Sequence, residues 1–349
     1  MRLLIVLAAL CALPAFAQEA EQDTSILVDV NVVNVPVTVT DDEGRFIVDL
    51  KKDDFEVYED GQKVDIRYFT ESQDEENKPR IRVGFLVDLS NTARLYYKNY
   101  QESIGDLAFL MVPEGGDNEA FLIGYQTEVD MLVDYTRDPG AIADRMSKLK
   151  HGGGSSMVDA IYEACNNKLQ SSPYQGVDEP RKIVVIVGDG HDNASKRSME
   201  QAIFACQQQQ VTVYAVSTEA FGFQVDEGKN LRDIAEATGG TVVFPMEKIH
   251  KDINGYLSKP QDAGNYQYEV GTGLYARAQL EALYTAVLGI SGQVQSQYIL
   301  GYSPPKPFSD NIYRQLDIRV KLNAETKINV FHRKGYFPPT GLPTAGGGD

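Results

Sequence analysis

Asp88, Ser90 and Thr92 stand at alternate positions directly after Ile81 to Val87, an apolar run interrupted by Arg82 near its start. A carboxylate flanked by small hydroxyls is a donor set for a hard divalent cation of the Mg²⁺ type. Ser155 follows Gly152-Gly153-Gly154, and Asp189 follows the apolar segment Ile183 to Val187. Two carboxylates and up to three hydroxyls leave room for waters and one outside ligand. Mg²⁺ favours that arrangement because it dehydrates reluctantly. Ser90, Thr92 and Ser155 also suit the starts of helices, where hydroxyls accept hydrogen bonds from free backbone N–H groups. Three fragments in this order, each at a strand end or a helix start, argue for a shared site.

The elements around these residues should bring them together. Ile81 to Val87 reads as a buried strand, followed by a helix from about Thr92 to Met111. Phe121 to Tyr125 and Val129 to Val133 read as a hairpin, and Pro139 to Leu149 as a helix. The glycine-rich loop leads into a helix through Cys165, and Ile183 to Val187 is a strand. Met199 to Cys206, Val211 to Val216, Leu231 to Ala237 and Thr241 to Phe244 continue the alternation. Short apolar strands separated by helices predict a doubly wound, mainly parallel sheet covered on both faces, spanning residues 79–295. Ligands of such sheets bind outside the carboxyl ends of the strands, where Asp88 and Asp189 fall. Leu280, Leu283, Tyr284 and Val287 predict an amphipathic last helix.

The flanks follow a different rule. Val28, Val30 and Val32 alternate with polar residues, and Val33, Val35, Val37 and Val39 continue in the opposite phase. Such a slip predicts a β-bulge, and Pro36 predicts an edge strand. Phe55 to Tyr58, a turn at Glu59-Asp60-Gly61 and a strand from Val64 to Phe69 follow. After the α/β region come candidate strands at Gln297 to Tyr302, Leu316 to Leu322 and Lys327 to His332. Three strands cannot cover their own apolar faces well. We therefore expect one β-sandwich built from residues 26–72 and 296–338, with the α/β domain inserted between its halves. Residues 71–79 are a polar linker, and the Gly-rich tail is expected to be disordered.

With these fragments in place, the chain resembles the von Willebrand factor type A (VWA) family. The resemblance rests on Asp-x-Ser-x-Thr after an apolar strand, on Gly-Gly-Ser-Ser-Met-Val-Asp-Ala opening a helix, and on a strand ending in Gly-Asp-Gly. It implies a metal-ion-dependent adhesion site. Asp88, Ser90 and Thr92 match its first element, Ser155 its threonine and Asp189 its final aspartate, while Thr92 stands where the family has serine. The cation would be Mg²⁺, or Mn²⁺ or Ca²⁺, and a protein partner would complete its shell with a carboxylate. The whole chain also resembles an exported bacterial subfamily, through the segments Asp53 to Gly61, Gln297 to Pro304 and Arg333 to Phe337.

A rival reading uses the same residues. Haloacid-dehalogenase-like phosphotransferases carry an Asp after the first strand and a later Gly-Asp-Gly-x-x-Asp, and Gly188 to Asn193 resembles the latter with Asn193 in place of its last Asp. Asp88 would then be a nucleophile and Asp189 would hold Mg²⁺. Against this, the position for an acid–base aspartate is Ser90, and the required lysine has only Lys168 and Lys182 as candidates. A third reading is a scaffold whose site holds no metal. P-loop, zinc-protease and serine-hydrolase signatures are absent. His151 and His191 read as solvated loop residues near the site. Between Phe244 and the last helix, Tyr256, Tyr266, Tyr268 and Tyr275 punctuate a long stretch, either a contact surface or a partly disordered insertion.

The composition is compatible with this. The formal net charge of −17 disfavours nucleic acid and anionic membrane surfaces as partners. Arg2, the apolar run Leu3 to Leu13 and Ala15-Phe16-Ala17 read as a secretory signal peptide cleaved near Ala17. No later run approaches the ~20 apolar residues of a membrane span. The expected location is periplasmic or extracellular. There Cys165 and Cys206 could form a disulfide, or remain two buried thiols.

Overall fold

The computed structural model describes residues 32–74, 76–77, 79–93, 97–170, 179–218, 227–245, 274–306, 308, 311–322 and 327–338. The expected signal peptide, the strand phase at Val28 and Val30, the tyrosine-bearing stretch 246–273 and the C-terminal tail lie outside them.

The strands are β1 (Val33–Asp41), β2 (Phe55–Glu59), β3 (Gln62–Val64), β4 (Ile66–Thr70), β5 (Ile81–Asp88), β6 (Glu119–Tyr125), β7 (Val129–Thr136), β8 (Arg181–Gly188), β9 (Val211–Ser217), β10 (Val242–Val243), β11 (Tyr298–Tyr302), β12 (Arg314–Val320), β13 (Ile328–Phe331) and β14 (Gly335–Tyr336). The helices are α1 (Tyr97–Met111), α2 (Pro139–Met146), α3 (Met157–Glu163), α4 (Met199–Gln208), α5 (Glu227–Thr238) and α6 (Leu274–Gln295).

The α/β domain has six strands in the order β10-β9-β8-β5-β6-β7. The first five run parallel and β7 pairs antiparallel with β6. Its central strands are mostly apolar because helices cover both faces. Phe85, Leu107, Leu122, Val185 and Ile290 sit in the core on one face, and Phe121, Ile161, Ile186 and Ile234 on the other.

Two four-stranded sheets flank this domain in sequence, β13-β1-β11-β4 and β14-β12-β2-β3. Each mixes strands from before and after the α/β domain, as expected for an insertion between two halves. Val33, Val35, Val37 and Val39 of β1 share one core with Tyr298, Leu300, Leu316 and Ile318. Glu59 lies inside it. Its Oε2 accepts hydrogen bonds from Tyr302 at 2.6 Å and Tyr336 at 2.9 Å, and Arg314 Nη1 lies 3.6 Å from Oε1. The β2–β3 turn has positive φ at both Asp60 (50°) and Gly61 (79°), the twist a tight hairpin requires.

Three expectations are corrected and one open alternative is decided. The segment Val64 to Phe69 is two strands, β3 on β2 and β4 on β11 of the other sheet. The chain changes sheets at Asp65, where an alternating pattern carries no signal. β1 is an interior strand, but β13 pairs only with Thr38–Asp41, so Pro36 faces β11 alone and no second ladder loses a donor. On α6, Leu283, Val287, Ile290 and Val294 are buried while Leu280 and Tyr284 are exposed, because the helix packs on α1 along a face rotated from the expected stripe. Finally, Cys165 and Cys206 form a disulfide, with Cα atoms 5.0 Å apart.

Candidate functional site

β5 ends at Asp88, whose register partner is Tyr125, the last residue of β6. On its other side Val87 pairs with Val187, so Gly188 and Asp189 leave β8 at the same edge. Asp88 is buried, and its Oδ1 accepts the Ser90 N–H at 2.7 Å. This local turn is one that Asp forms readily, because its carboxylate reaches the backbone two residues on. Asp88 Oδ2 is buried and accepts no hydrogen bond. Ser90 is buried with its Oγ 2.9 Å from Thr92 Oγ1, and Thr92 is exposed.

The glycine loop is bonded directly to this turn. Gly152 N–H donates to the Leu89 carbonyl at 2.9 Å, Asn91 N–H to the Gly153 carbonyl at 3.3 Å, and Gly154 N–H to Thr127 Oγ1 at 3.0 Å. Ser155, fully buried, ties that loop to the one after β8. Its Oγ donates to the His191 carbonyl at 2.7 Å, its N–H donates to Asn193 Oδ1 at 2.9 Å, and its carbonyl accepts from the N–H groups of Asn193 and Ala194. Asp189 is half-buried, and its Oδ1 accepts the His191 N–H at 2.9 Å. Three loops from distant parts of the sequence thus form one hydrogen-bonded edge holding Asp88, Ser90, Thr92, Ser155 and Asp189. Among them, the Ser155 hydroxyl is committed to the protein.

The capping alternative does not describe Ser155. The N-cap of α3 is Ser156, whose side chain makes no cap bond. The α3 N-terminus is capped from the neighbouring loop, where Asp192 Oδ2 accepts the Val158 N–H at 2.7 Å and the Ser195 hydroxyl at 2.6 Å.

Burial pushes the Asp88 carboxyl up to about 6. The hydrogen bonds from Ser90 pull it down, and the negative charge of Asp189 raises it further. A buried carboxylate beside a second one is relieved by a cation or a proton. Among the described residues, no group of three or more His, Cys, Asp and Glu side chains is arranged to hold a metal. The donors gathered here are two carboxylates and hydroxyls, the oxygen set of hard cations.

Sequence reasoning missed Tyr125. It reads as the last core residue of an apolar strand, yet its buried hydroxyl has no hydrogen-bond partner and its acidity is suppressed by burial and by Asp88, Asp189 and Asp192. Gly188 lies between them. A Cβ there would come within 2.3 Å of the Tyr125 oxygen and 3.1 Å of Asp88 Cβ, so the close approach requires glycine. The available signal was positional: Tyr125 ends the strand beside β5, level with Asp88.

The histidines are half-buried rather than solvated, and the charge of His191 reaches Asp88. Neither lysine of the phosphotransferase reading is at this edge. Lys182 is the second residue of β8, at the opposite end of the strand, and lies 2.7 Å from Glu179; Lys168 pairs with Asp134 at 2.8 Å. Asn193 serves the backbone of Ser155.

The sequence profile of the von Willebrand factor type A domain matches residues 83–255. No curated protein matches the chain in sequence. Among solved structures, the chain is similar to the conserved hypothetical protein BatB from Bacteroides thetaiotaomicron, at 13% identity and a TM-score of 0.38, over 50% of this chain and 98% of that one. It is similar to three N-terminal domains of the type V pili tip protein Mfa5 from Porphyromonas gingivalis, at 19% identity and a TM-score of 0.29, over 33% of this chain and 20% of that one. It is also similar to proximal thread matrix protein 1 from the mussel byssus with a zinc-occupied MIDAS motif, at 12% identity and a TM-score of 0.43, over 65% of this chain and 49% of that one. Domains of the matched family are commonly protein-interaction modules. The sheet order and the profile agree: residues 83–255 have the fold of a VWA domain.

Proposed function

We propose that this protein binds another protein through a divalent-cation site at the carboxyl edge of its six-stranded sheet. The observation that carries this reading is Asp88 Oδ2, a buried carboxylate oxygen with no hydrogen-bond donor, beside the field of a second carboxylate. A buried charge of this kind is costly unless paired or coordinated to a metal. Asp88, Ser90 and Thr92 would hold the ion, with Ser155 and Asp189 acting directly or through water. Mg²⁺ fits the oxygen donors best, with Mn²⁺ or Ca²⁺ as substitutes. The bound ion supplies a fixed positive charge on which a partner's carboxylate can seat. The Ser155 hydroxyl, now donated to the His191 carbonyl, would have to turn to ligate the ion, or act through water.

In this reading the module of residues 79–295 is carried on a sandwich of residues 26–72 and 296–338, and no catalytic role is assigned to any of these residues. The Cys165–Cys206 disulfide supports an oxidising, exported location, where structural disulfides persist. Among the described residues, no helix is long and apolar enough to cross a membrane. The net charge of −17 favours a protein partner over nucleic acid.

The test is retention of a protein partner from the native host on immobilised wild type with Mg²⁺ or Mn²⁺, against EDTA and against Asp88→Ala. A partner retained only with the ion, and only by wild type, is expected. Retention indifferent to EDTA and to Asp88→Ala would leave the site as a metal-free scaffold. Hydrolysis of a generic phosphoester that disappears in Asp88→Ala would move the chain to the phosphotransferase class.

A further inference from the structure

A second polar site lies away from that edge, at the amino ends of β8 and β9, where the α/β domain meets the sandwich. A partly open cavity of about 40 Å³ lies there among β1, β8, β9, β11 and the segment after β13. Its charged lining is mostly cationic. Lys182 is 4% exposed, and its Nζ lies 2.7 Å from Glu179 Oε1. Arg333 is 6% exposed; its Nη1 donates to Gln210 Oε1 at 3.2 Å and its Nη2 to the Asn34 carbonyl at 2.9 Å. Both acceptors are neutral. Arg333 Nε is buried and has no partner, and among the described residues no carboxylate pairs with this guanidinium. The Tyr336 ring, 5.5 Å away, offers only its face.

A guanidinium cannot shed its charge at any ordinary pH. Leaving a buried one without a counter-charge costs several kcal/mol, far more than two neutral hydrogen bonds return. Glu179 is the one carboxylate of the lining, against the cations Arg181, Lys182 and Arg333. Lys182 and Arg333 also act on each other: burial lowers the pKa of Lys182, and the Arg333 charge lowers it further. In a chain of net charge −17, a buried excess of positive charge at one inter-domain cavity is not a by-product of composition. The volume sets the size of what balances it. It admits a few water-sized atoms, enough for a compact inorganic ion.

We propose that this cavity binds a small inorganic anion between Arg333 and Lys182, at the junction of the sandwich and the α/β domain. Asn34 and Arg333 belong to the sandwich side, and Lys182 and Gln210 to the α/β side. A bound anion therefore holds the inserted domain against its carrier. This does not depend on the cation site.

The test is thermal unfolding of the full chain in sodium gluconate, with gluconate replaced stepwise by chloride, bromide or phosphate at constant ionic strength. Gluconate is too bulky for the cavity. The expected result is a saturable rise in Tm with one of the compact anions, the halide and phosphate arms deciding which. In Arg333→Gln the half-saturating concentration should rise at least about tenfold, the loss of one charge-assisted contact of about 1.4 kcal/mol. A wild-type Tm equal in all salts, or an identical response in Arg333→Gln, would overturn the site. If Arg333→Gln does not fold, wild-type crystals soaked in bromide for a halide response, or in arsenate for a phosphate response, decide. An anomalous peak within hydrogen-bond reach of Arg333 supports the site, and its absence overturns it.

Discussion

Reducing the Cys165–Cys206 bond should destabilise the α/β domain by an amount that its geometry sets. The cysteines are 41 residues apart, and the bond joins the end of the α3 segment to α4. Closing a loop of that length removes about 13 cal/mol/K of entropy from the unfolded chain, or about 3.9 kcal/mol at 25 °C. For a domain of this size, each kcal/mol moves the midpoint by roughly 2–4 °C, so reduction should lower Tm by roughly 8–15 °C. Both sulfurs lie in a packed core, so comparing oxidised with reduced wild type avoids the cavity that an alanine variant would add. Urea unfolding with and without a phosphine reductant measures the difference. Alkylation of the unfolded, unreduced protein checks the bond itself. Two labelled cysteines, or an unchanged midpoint after reduction, would refute the reasoning.

Other consequences concern single residues. Glu59→Ala removes a carboxylate 3.6 Å from Arg314 inside the sandwich and unties the hydroxyls of Tyr302 and Tyr336. It should cost about 3–5 kcal/mol in urea unfolding, and a loss under about 1 kcal/mol would show that the cluster is not buried as described. Gly188→Ala drives a methyl to within 2.3 Å of the Tyr125 oxygen. It should cost about 1–3 kcal/mol, and a double-mutant cycle with Tyr125→Phe should recover part of that; strictly additive losses would place the two residues apart. His332 is 7% exposed and held below the ordinary histidine range, chiefly by burial. Its unfolded form takes up a proton first as pH falls, so its stabilising contribution is complete above about pH 6.5 and declines below it towards the folded pKa. Wild type should therefore lose stability more steeply than His332→Gln as pH falls below about 6.5; parallel profiles would exclude that role.

Much of this architecture was legible because its signals are local. Val83 to Val87 and Ile183 to Val187 are apolar on both faces, as only a doubly covered strand must be, and each delivers its aspartate to the same edge. The insertion was legible from an energetic shortfall, since neither flanking half could bury its own valines and tyrosines. What stayed hidden depends on tertiary placement. The alternation from Val64 to Phe69 runs unbroken across Asp65, so the sheet change leaves no mark in the period. On α6, Leu280 and Tyr284 fit the apolar stripe as well as Leu283 does, and only packing on α1 selects the buried face. Asp192 caps a helix more than thirty residues earlier, which no local capping pattern reveals. Tyr125 reads as core because it is core; its meeting with Asp88 and Gly188 is a matter of register between neighbouring strands.

The central claim is that the edge formed by Asp88, Ser90, Thr92, Ser155 and Asp189 binds a divalent cation. Isothermal titration of Mn²⁺ and Mg²⁺ into the metal-free protein tests it most directly, with Asp88→Ala alongside and circular dichroism confirming that the variant is folded. One ion per chain for wild type, with the saturable heat lost in Asp88→Ala, is the expected result. A flat wild-type titration, or equal binding by a folded Asp88→Ala, would contradict the account.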